Sequence, residues 1–346
     1  MNIAGKALAT FFMLLSVSVA HAGNANGMLQ YAAGDYSAAL KEFKPLAEKG
    51  DAVAQAKLGQ MYLLGSGVPQ DDAQALAWST KAAEQGNVDA EFVMGYMYFN
   101  GRGVARDDRL AAEWFRRAAE KGDAEAQFNL GLMYHDGRGL LHSDEAAASW
   151  FSKSAEQGDV QAQYALGVLY AEGRGVQKDV VTALGWFEKA AAQGSAPAEF
   201  RIGMIYDLGL GVKQDGEKAV SWYKKAAEHG DTNAIYALGS VFDDGRGGVS
   251  QDPKTAVSWY QKAAVRGDAD AEHSLAEMYF TGRGVGGNDR EALSWYRRAA
   301  EQGDADAQLN VAVIYDLGLG VAPNPAEAQT WYLKAQQSRM LASVAP

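Results

Sequence analysis

The chain has 346 residues, 48% hydrophobic and 22% charged, with a net charge of −11 and no cysteine. That composition belongs to a folded chain, and an acidic balance without a Lys/Arg run argues against nucleic acid or an anionic membrane as partner. The missing cysteine excludes disulfides, thiolate metal sites, a cysteine nucleophile and lipid attachment at an N-terminal cysteine.

Residues 1–22 have the layout of a secretory signal peptide. Lys6 is the only charged side chain, Ala7 to Ala20 is apolar, and Ala20-His21-Ala22 forms an A-x-A cleavage site. The apolar core of about 14 residues is short of the ~20 that span a bilayer. Cleavage after Ala22 would begin the chain at Gly23 and leave no stable membrane insertion. The expected location is periplasmic or secreted.

Residues 23–50 read as a reduced N-terminal capping repeat. Asp35, Ala39, Phe43, Ala47 and Gly50 follow the second-helix pattern of the later copies, but Glu42 stands where those copies carry tryptophan. Only "NANGMLQYAAG" precedes this helix, and Pro45 inside it is expected to kink it. A repeat array needs such a cap, because its end unit lacks a neighbour.

Residues 51–338 form eight copies of one unit. Gly50, Gly86, Gly122, Gly158, Gly194, Gly230, Gly267 and Gly303 are spaced by 36 residues, with one interval of 37 absorbed in the turn at Gly247-Gly248. After each glycine stands a helix N-cap: Asp51, Asn87, Asp123, Asp159, Ser195, Asp231, Asp268 or Asp304. A first helix of about 13 residues follows, ending at Gly65, Gly101, Gly137, Gly173, Gly209, Gly245, Gly282 or Gly318. A second cap comes next: Asp71, Asp107, Ser143, Asp179, Asp215, Asp252, Asn288 or Asn324. The second helix then runs to the next spacer glycine. Residues 339–346 form a C-terminal tail, expected to fray or to cover the last helix.

The second helices carry the eight tryptophans, Trp78, Trp114, Trp150, Trp186, Trp222, Trp259, Trp295 and Trp331. An alanine lies three residues before each, and an aromatic follows each except at Ser79. This column is expected to be the core. Gly59, Gly95, Gly131, Gly167, Gly203 and Gly239, with Ala276 and Ala312 in the last two copies, recur in the first helix. Glycine there costs about 1 kcal/mol of helix propensity. The expected compensation is room for a bulky side chain of the partner helix.

With these residues in view, the unit resembles the SEL-one-like repeat, a branch of the tetratricopeptide superfamily. Residues 87–122 display the pattern through Ala90, Met94, Gly95, Met97, Tyr98, Gly101, Arg102, Gly103, Val104, Asp107, Ala111, Trp114, Phe115, Ala118, Ala119 and Gly122. The resemblance implies an all-α, right-handed solenoid of antiparallel helix pairs and no reaction. Some members of that family cross-link each repeat through cysteines; this chain relies on packing alone.

Candidate chemistry is sparse. His135 and His142 lie near Asp136 and Asp144, but their spacing matches no strong metal-ligand motif. "DDGRGG" at 243–248 lacks the ligands of a calcium loop. The G-R-G arginines Arg102, Arg138, Arg174, Arg246 and Arg283 follow helix C-termini, where the dipole disfavours anions. They are read as capping carbonyls or pairing with carboxylates. Recurring Glu/Gln of the first helix and Lys/Arg of the second are read as solvated or inter-repeat faces. No cofactor is expected.

The informative signal is where copies differ. Three first-helix positions, spaced three and four residues apart, vary strongly between repeats and form a stripe. A face that packs internally would repeat, so this stripe is the candidate surface for a protein or peptide partner. Its candidate residues are Tyr96, Asn100, Asn129, Leu132, Asp136, Val168, Glu172, Arg201, Met204, Ser240, Asp244, Glu277 and Val313. In the related repeats the first helix lines the concave face. The function expected is therefore an exported interaction scaffold without catalysis. The alternative is a cell-wall-active hydrolase using the stripe carboxylates Asp136, Glu172 and Asp244.

Overall fold

The structure, a computed structural model, describes residues 24–344; the leader read at 1–22 lies outside them. The described residues form helices that alternate along the chain. They are α1 (Ala25–Ala32) and α2 (Tyr36–Glu48), α3 (Ala52–Leu64) and α4 (Asp72–Glu84), α5 (Val88–Asn100) and α6 (Asp108–Glu120), α7 (Ala124–Asp136) and α8 (Asp144–Glu156), and α9 (Val160–Glu172) and α10 (Val180–Ala191). There follow α11 (Ala196–Leu208) and α12 (Gly216–Glu228), α13 (Thr232–Asp244) and α14 (Pro253–Ala264), α15 (Ala269–Thr281) and α16 (Asp289–Glu301), and α17 (Ala305–Leu317) and α18 (Pro325–Val344). The chain makes two compact units, one reaching Leu169 and including 173–177, the other holding 170–172 and everything from Lys178. Each unit is an all-α stack of helix hairpins in which a second helix packs on its own first helix and on the first helix of the next repeat.

Local chemistry sets the boundaries. Every predicted cap except Ser195 accepts a backbone N–H from the first turn of its helix; Asp123 Oδ1, for instance, accepts from Ala126 N at 2.7 Å. Such a bond satisfies one of the otherwise orphaned donors at the helix start. Gly137 shows the stop: at φ 66° it holds the left-handed geometry that returns its N–H to Met133 O.

The core is a series of small clusters rather than one centre. A representative cluster joins Ala111, Ala112, Phe115, Ala118 and Ala119 of α6 to Ala126, Leu130 and Met133 of α7. The structure corrects the expected role of tryptophan. The fully enclosed ring is that of the following residue: Phe115, Phe151, Phe187, Tyr223, Tyr260 and Tyr296 are 1–3% exposed. The indoles are half-buried, apart from the buried Trp331. Each is covered by the cation three residues on, such as Lys153 Nζ at 3.8 Å from the Trp150 ring centre and Lys189 Nζ at 3.7 Å from that of Trp186. All eight indoles carry such a cation.

The mid-helix glycines now have a cause. A Cβ on Gly95 or Gly131 would lie 2.6 Å from the ring of Phe115 or Phe151, and one on Gly203 or Gly239 would meet Tyr223 or Tyr260 as closely. In the first full repeat Ser79 replaces the ring, and Gly59 lies against the Ser79 hydroxyl with the α4 backbone just behind it.

Both ends of the described chain are helical. Residues 24–50 form a helix hairpin in which Gly27 lies against Phe43, the same contact the interior repeats use. Asn24 is fully buried and its Nδ2 donates to Asp51 Oδ1 at 2.9 Å. Helix α2 runs on through an exposed Pro45. The tail continues α18 as far as Val344, lengthening that helix to 20 residues. No described helix is long and apolar enough to cross a membrane.

One substitution should act with opposite signs at two glycines. Gly185 in α10 has nothing within 4 Å of an added Cβ, whereas Gly131 abuts Phe151. Gly185→Ala should stabilise by about 0.5–1 kcal/mol through helix propensity, while overpacking should make Gly131→Ala net destabilising by about 1–2 kcal/mol. Urea unfolding of the two variants tests this; a gain at both positions would remove the glycine–aromatic contact as the reason for the glycine column.

Candidate partner-binding face

Each first helix of the repeats buries its alanine, glycine and Leu/Met/Ile positions and leaves most of the variable stripe at least partly open. None of the thirteen candidate residues is buried. Tyr96, Asn129, Leu132, Val168, Arg201, Met204, Ser240 and Val313 are half-buried; Asn100, Asp136, Glu172, Asp244 and Glu277 are exposed. Tyr96, Leu132 and Val168 lie at equivalent positions of α5, α7 and α9 in the first unit. Met204, Ser240 and Val313 hold that position on α11, α13 and α17 in the second. Met204 packs on the cluster of Ala219, Tyr223 and Leu238 beneath it. Arg246 Nη2 donates to Ser240 Oγ at 2.9 Å.

Internal packing reaches the stripe at some places. Gln60 and Val93 are buried, and Lys57 Nζ is 2.9 Å from Asp89 Oδ2 of the next repeat. One turn N-terminal to the stripe on α7 stands Glu125, whose backbone oxygen accepts from Asn129 Nδ2 at 2.8 Å. Burial, with the charges of Asp123 and Asp159 beside it, pushes the Glu125 carboxyl up to about 10.

Two polar ladders tie the repeats together away from the stripe. The first uses buried Glu/Gln of the first helix. Gln55, Gln127, Gln163 and Gln308 donate Nε2 to Ala47, Ala119, Ala155 and Ala300 O of the preceding second helix at 3.0–3.2 Å. Glu91, fully buried, is held instead within its own repeat, by Lys121 Nζ at 2.7 Å and Arg117 Nη2 at 2.9 Å from the second helix. Glu272 is held by Arg298 and Gln302, and Glu199 by His229 Nδ1 at 2.7 Å.

The second ladder uses the G-R-G arginines. Arg102, Arg138 and Arg174 reach the aspartate that opens the second helix of the preceding repeat, Asp72, Asp108 and Asp144, with Nε–O distances of 3.1–3.2 Å. Arg106 and Arg138 hold the Asp108 carboxyl down at about 2. In the second unit Gly216 and Pro253 occupy that opening position. Arg246 and Arg283 turn instead to Asp207 (3.3 Å) and Asp243 (2.9 Å), buried near the end of the preceding first helix. Burial pushes both of these carboxyls up. Tyr223 OH donates to Asp207 Oδ2 at 3.3 Å.

The Sel1 repeat family model matches residues 52–87, 88–123, 124–159, 160–195, 196–231, 232–268, 269–304 and 305–335. This chain belongs to the Sel1 repeat family. A protective antigen of uropathogenic Escherichia coli with an SLR fold is 33% identical, with TM-score 0.63 over 93% of this chain and 79% of that one. A Sel1 repeat protein from Oxalobacter formigenes is also 33% identical, with TM-score 0.61 over 71% of this chain and 96% of its own. Comparison with curated proteins returned no match.

Within this Sel1 array the histidines serve as ladder or cap partners. His135 Nδ1 is 2.7 Å and His142 Nε2 3.7 Å from Asp144, which Arg174 also holds. Asp136, the remaining residue of that sequence cluster, is exposed. His273 Nδ1 is 2.7 Å from the cap Asp304. A cleft of about 470 Å³ lies off the stripe, between the turns of two repeats, lined by residues including Lys213, Asp215, Lys218 and Gly247. Sequence reasoning missed Glu125, the cations over the indoles and the buried aspartates. Two of these had a signal: Lys or Arg stands three residues after every tryptophan, and Asp207 and Asp243 appear where the second helix opens without aspartate.

Arg246→Leu should strand the buried Asp207 carboxylate and cost about 3–5 kcal/mol. Arg246→Leu/Asp207→Ala should recover most of it, since Leu210 and Ala171 occupy the equivalent positions one repeat earlier. Denaturant unfolding of single and double variants decides; equal losses would mean that the two side chains are not coupled.

Glu125 sets a second expectation. Its carboxyl is raised from 4.5 to about 10, so between those values the folded state holds a proton that the unfolded state releases. Stability should therefore fall as pH rises, by at most about 1.4 kcal/mol per pH unit. Melting temperatures between about pH 6 and 9 should slope downward, and less steeply in Glu125→Gln. Parallel slopes would show that Glu125 titrates normally.

Proposed function

We propose that this Sel1 repeat chain is an exported interaction scaffold that binds partner proteins or peptides on the variable face of its first helices. The observation that carries the reading is the contrast along one helix. The repeated alanine, glycine and Leu/Met/Ile positions are buried, whereas the varied ones other than Gln60 and Val93, among them Tyr96, Leu132, Val168 and Met204, keep part of their surface in water. Exposed apolar side chains in a row are what a partner segment can cover. Each contact would be modest, and affinity would come from several repeats engaging together, less the cost of ordering the partner.

Export is supported by the leader read at residues 1–22, and the E. coli relative's description as a protective antigen is in keeping with it. The hydrolase alternative requires a second catalytic group in register. Asp136 and Asp244 stand in different repeats and units, and Asp123 and Asp159, beside the raised Glu125 carboxyl, are engaged as helix caps.

Affinity capture from cell-envelope extract tests the proposal, with each unit probed by its own variant: Tyr96→Ala/Leu132→Ala for the first and Met204→Ala for the second. The protein recovered from the envelope should begin at Gly23. Variants that fold like the parent should lose captured proteins. An unchanged set with both would remove the stripe as the binding surface.

A further inference from the structure

We propose that the face of the second to fourth repeats takes an extended peptide in which a lysine or arginine, flanked by apolar side chains, sets its cation against Glu125. The inference rests on the reading of this face as a binding surface and names the chemistry of what it binds.

Glu125 continues the stripe of α7 by one turn, as residues 125, 129 and 132 follow helical spacing and the Asn129–Glu125 hydrogen bond confirms. Two turns further along α7 the same stripe carries Leu132, half-buried, with Tyr96 and Val168 at the equivalent positions of α5 and α9. The Glu125 carboxylate is itself half-buried and makes no ion pair or side-chain hydrogen bond among the described residues. Its neighbours Asp123 and Asp159 add negative charge, and burial pushes the carboxyl upward. A carboxyl so desolvated keeps its proton, and gives it up to solvent when a cation arrives to pair with the carboxylate.

The chain contains its own example of the missing partner. One repeat earlier the equivalent carboxylate is Asp89. Lys57 of the adjoining repeat places Nζ 2.9 Å from it and 5.8 Å from the ring centre of Tyr31. Moving Lys57 forward by one repeat lands on Val93, which is buried and cannot pair. The second step of the array thus keeps the acid and lacks the base. Elsewhere the equivalent acids have other means of satisfaction: Asp306 is met by Arg339 at 2.7 Å, and Asp270 is exposed to water. Glu125 alone among these described positions combines burial with no cation, and the stripe that continues from it carries the apolar Leu132. A basic residue in an apolar context is complementary to that combination.

The test is selection of random twelve-residue peptides displayed on phage against the full chain, followed by fluorescence anisotropy with the selected peptides. Lysine or arginine flanked by apolar residues should be enriched. Replacing that lysine with norleucine, or Glu125 with Gln, should each weaken binding about tenfold, and both together no more than either alone. Val93→Lys supplies the cation from within and should weaken binding similarly; circular dichroism establishes that each variant is folded. Peptides without a basic residue, or binding to Glu125→Gln within about twofold of the parent, would overturn the proposal. If Tyr96→Ala/Leu132→Ala abolishes that binding while Glu125→Gln does not, the face still binds and only the cation seat is wrong. If neither variant matters, or no peptide is selected, the binding face and the seat fall together.

Discussion

The distance between the two helices of a repeat governs the rest of the structure, and one contact sets it. A glycine in the first helix faces an aromatic ring of the second, as Gly131 faces Phe151 and Gly203 faces Tyr223. The ring fills the space that a Cβ would take, so the helix axes stay close while a large apolar surface leaves water. The first full repeat keeps the close approach differently. There Ser79 stands in place of the ring, and its hydroxyl and the α4 backbone come against Gly59. The last two copies use Ala276 and Ala312, both fully buried. Because each hairpin holds this spacing, a similar surface is offered to the next hairpin, and ladders of polar contacts can be built between them.

Those ladders show how neighbouring repeats adjust to one another. An arginine after G-x-G's first glycine accompanies a carboxylate in the preceding repeat, at either of two places. Where the second helix opens with Asp72, Asp108 or Asp144, the arginine pairs there on the rim. Where it opens with Gly216 or Pro253, the acid moves to Asp207 or Asp243 and the pair goes inside. Where the preceding repeat has Val180 and Ala171, the arginine is Leu210. Asp289 breaks the rule: Leu319 stands in the arginine's place, and Arg290 reaches Gly320 O at 2.9 Å. Charge and counter-charge otherwise change together because an unpaired carboxylate at Asp207, which is 3% exposed, would cost more than either residue contributes in isolation.

Helix boundaries and repeat number were legible in the sequence because caps and left-handed glycines act within a few residues. Which aromatic faces inward was not. Trp114 follows Ala111 by three residues and Phe115 follows it by four, and both spacings share a helix face with the alanine. The choice rests on Arg117, which lies three residues from Trp114 but only two from Phe115. It covers the indole with its guanidinium 4.3 Å from the ring centre and leaves the phenyl to the interior. The N-terminal hairpin agrees: without a tryptophan at Glu42 it has no indole to cover, and Glu42 Oε1 accepts from Asn26 at 2.9 Å instead. The stripe was visible as variation between copies, yet Gln60 and Val93 on it are buried, because variation alone does not distinguish an open face from a local repacking.

Burial and variation must therefore be taken together before a position is assigned to binding. Constant and buried positions such as Gly131 and Leu130 hold the hairpin. Varied and buried ones such as Val93 adapt one repeat to the next. Only varied positions that stay partly open, such as Tyr96, Leu132 and Met204, are unspent by the fold. Glu125 shows why the boundary between these classes matters. At the previous step a lysine of the chain satisfies the same carboxylate position, so the interaction there is structural. Replacing that lysine with Val93 converts a structural position into an unsatisfied one without disturbing the helix that carries it. In a repeat array a new surface can arise in this way, by withdrawing one partner from a contact that its neighbours still make.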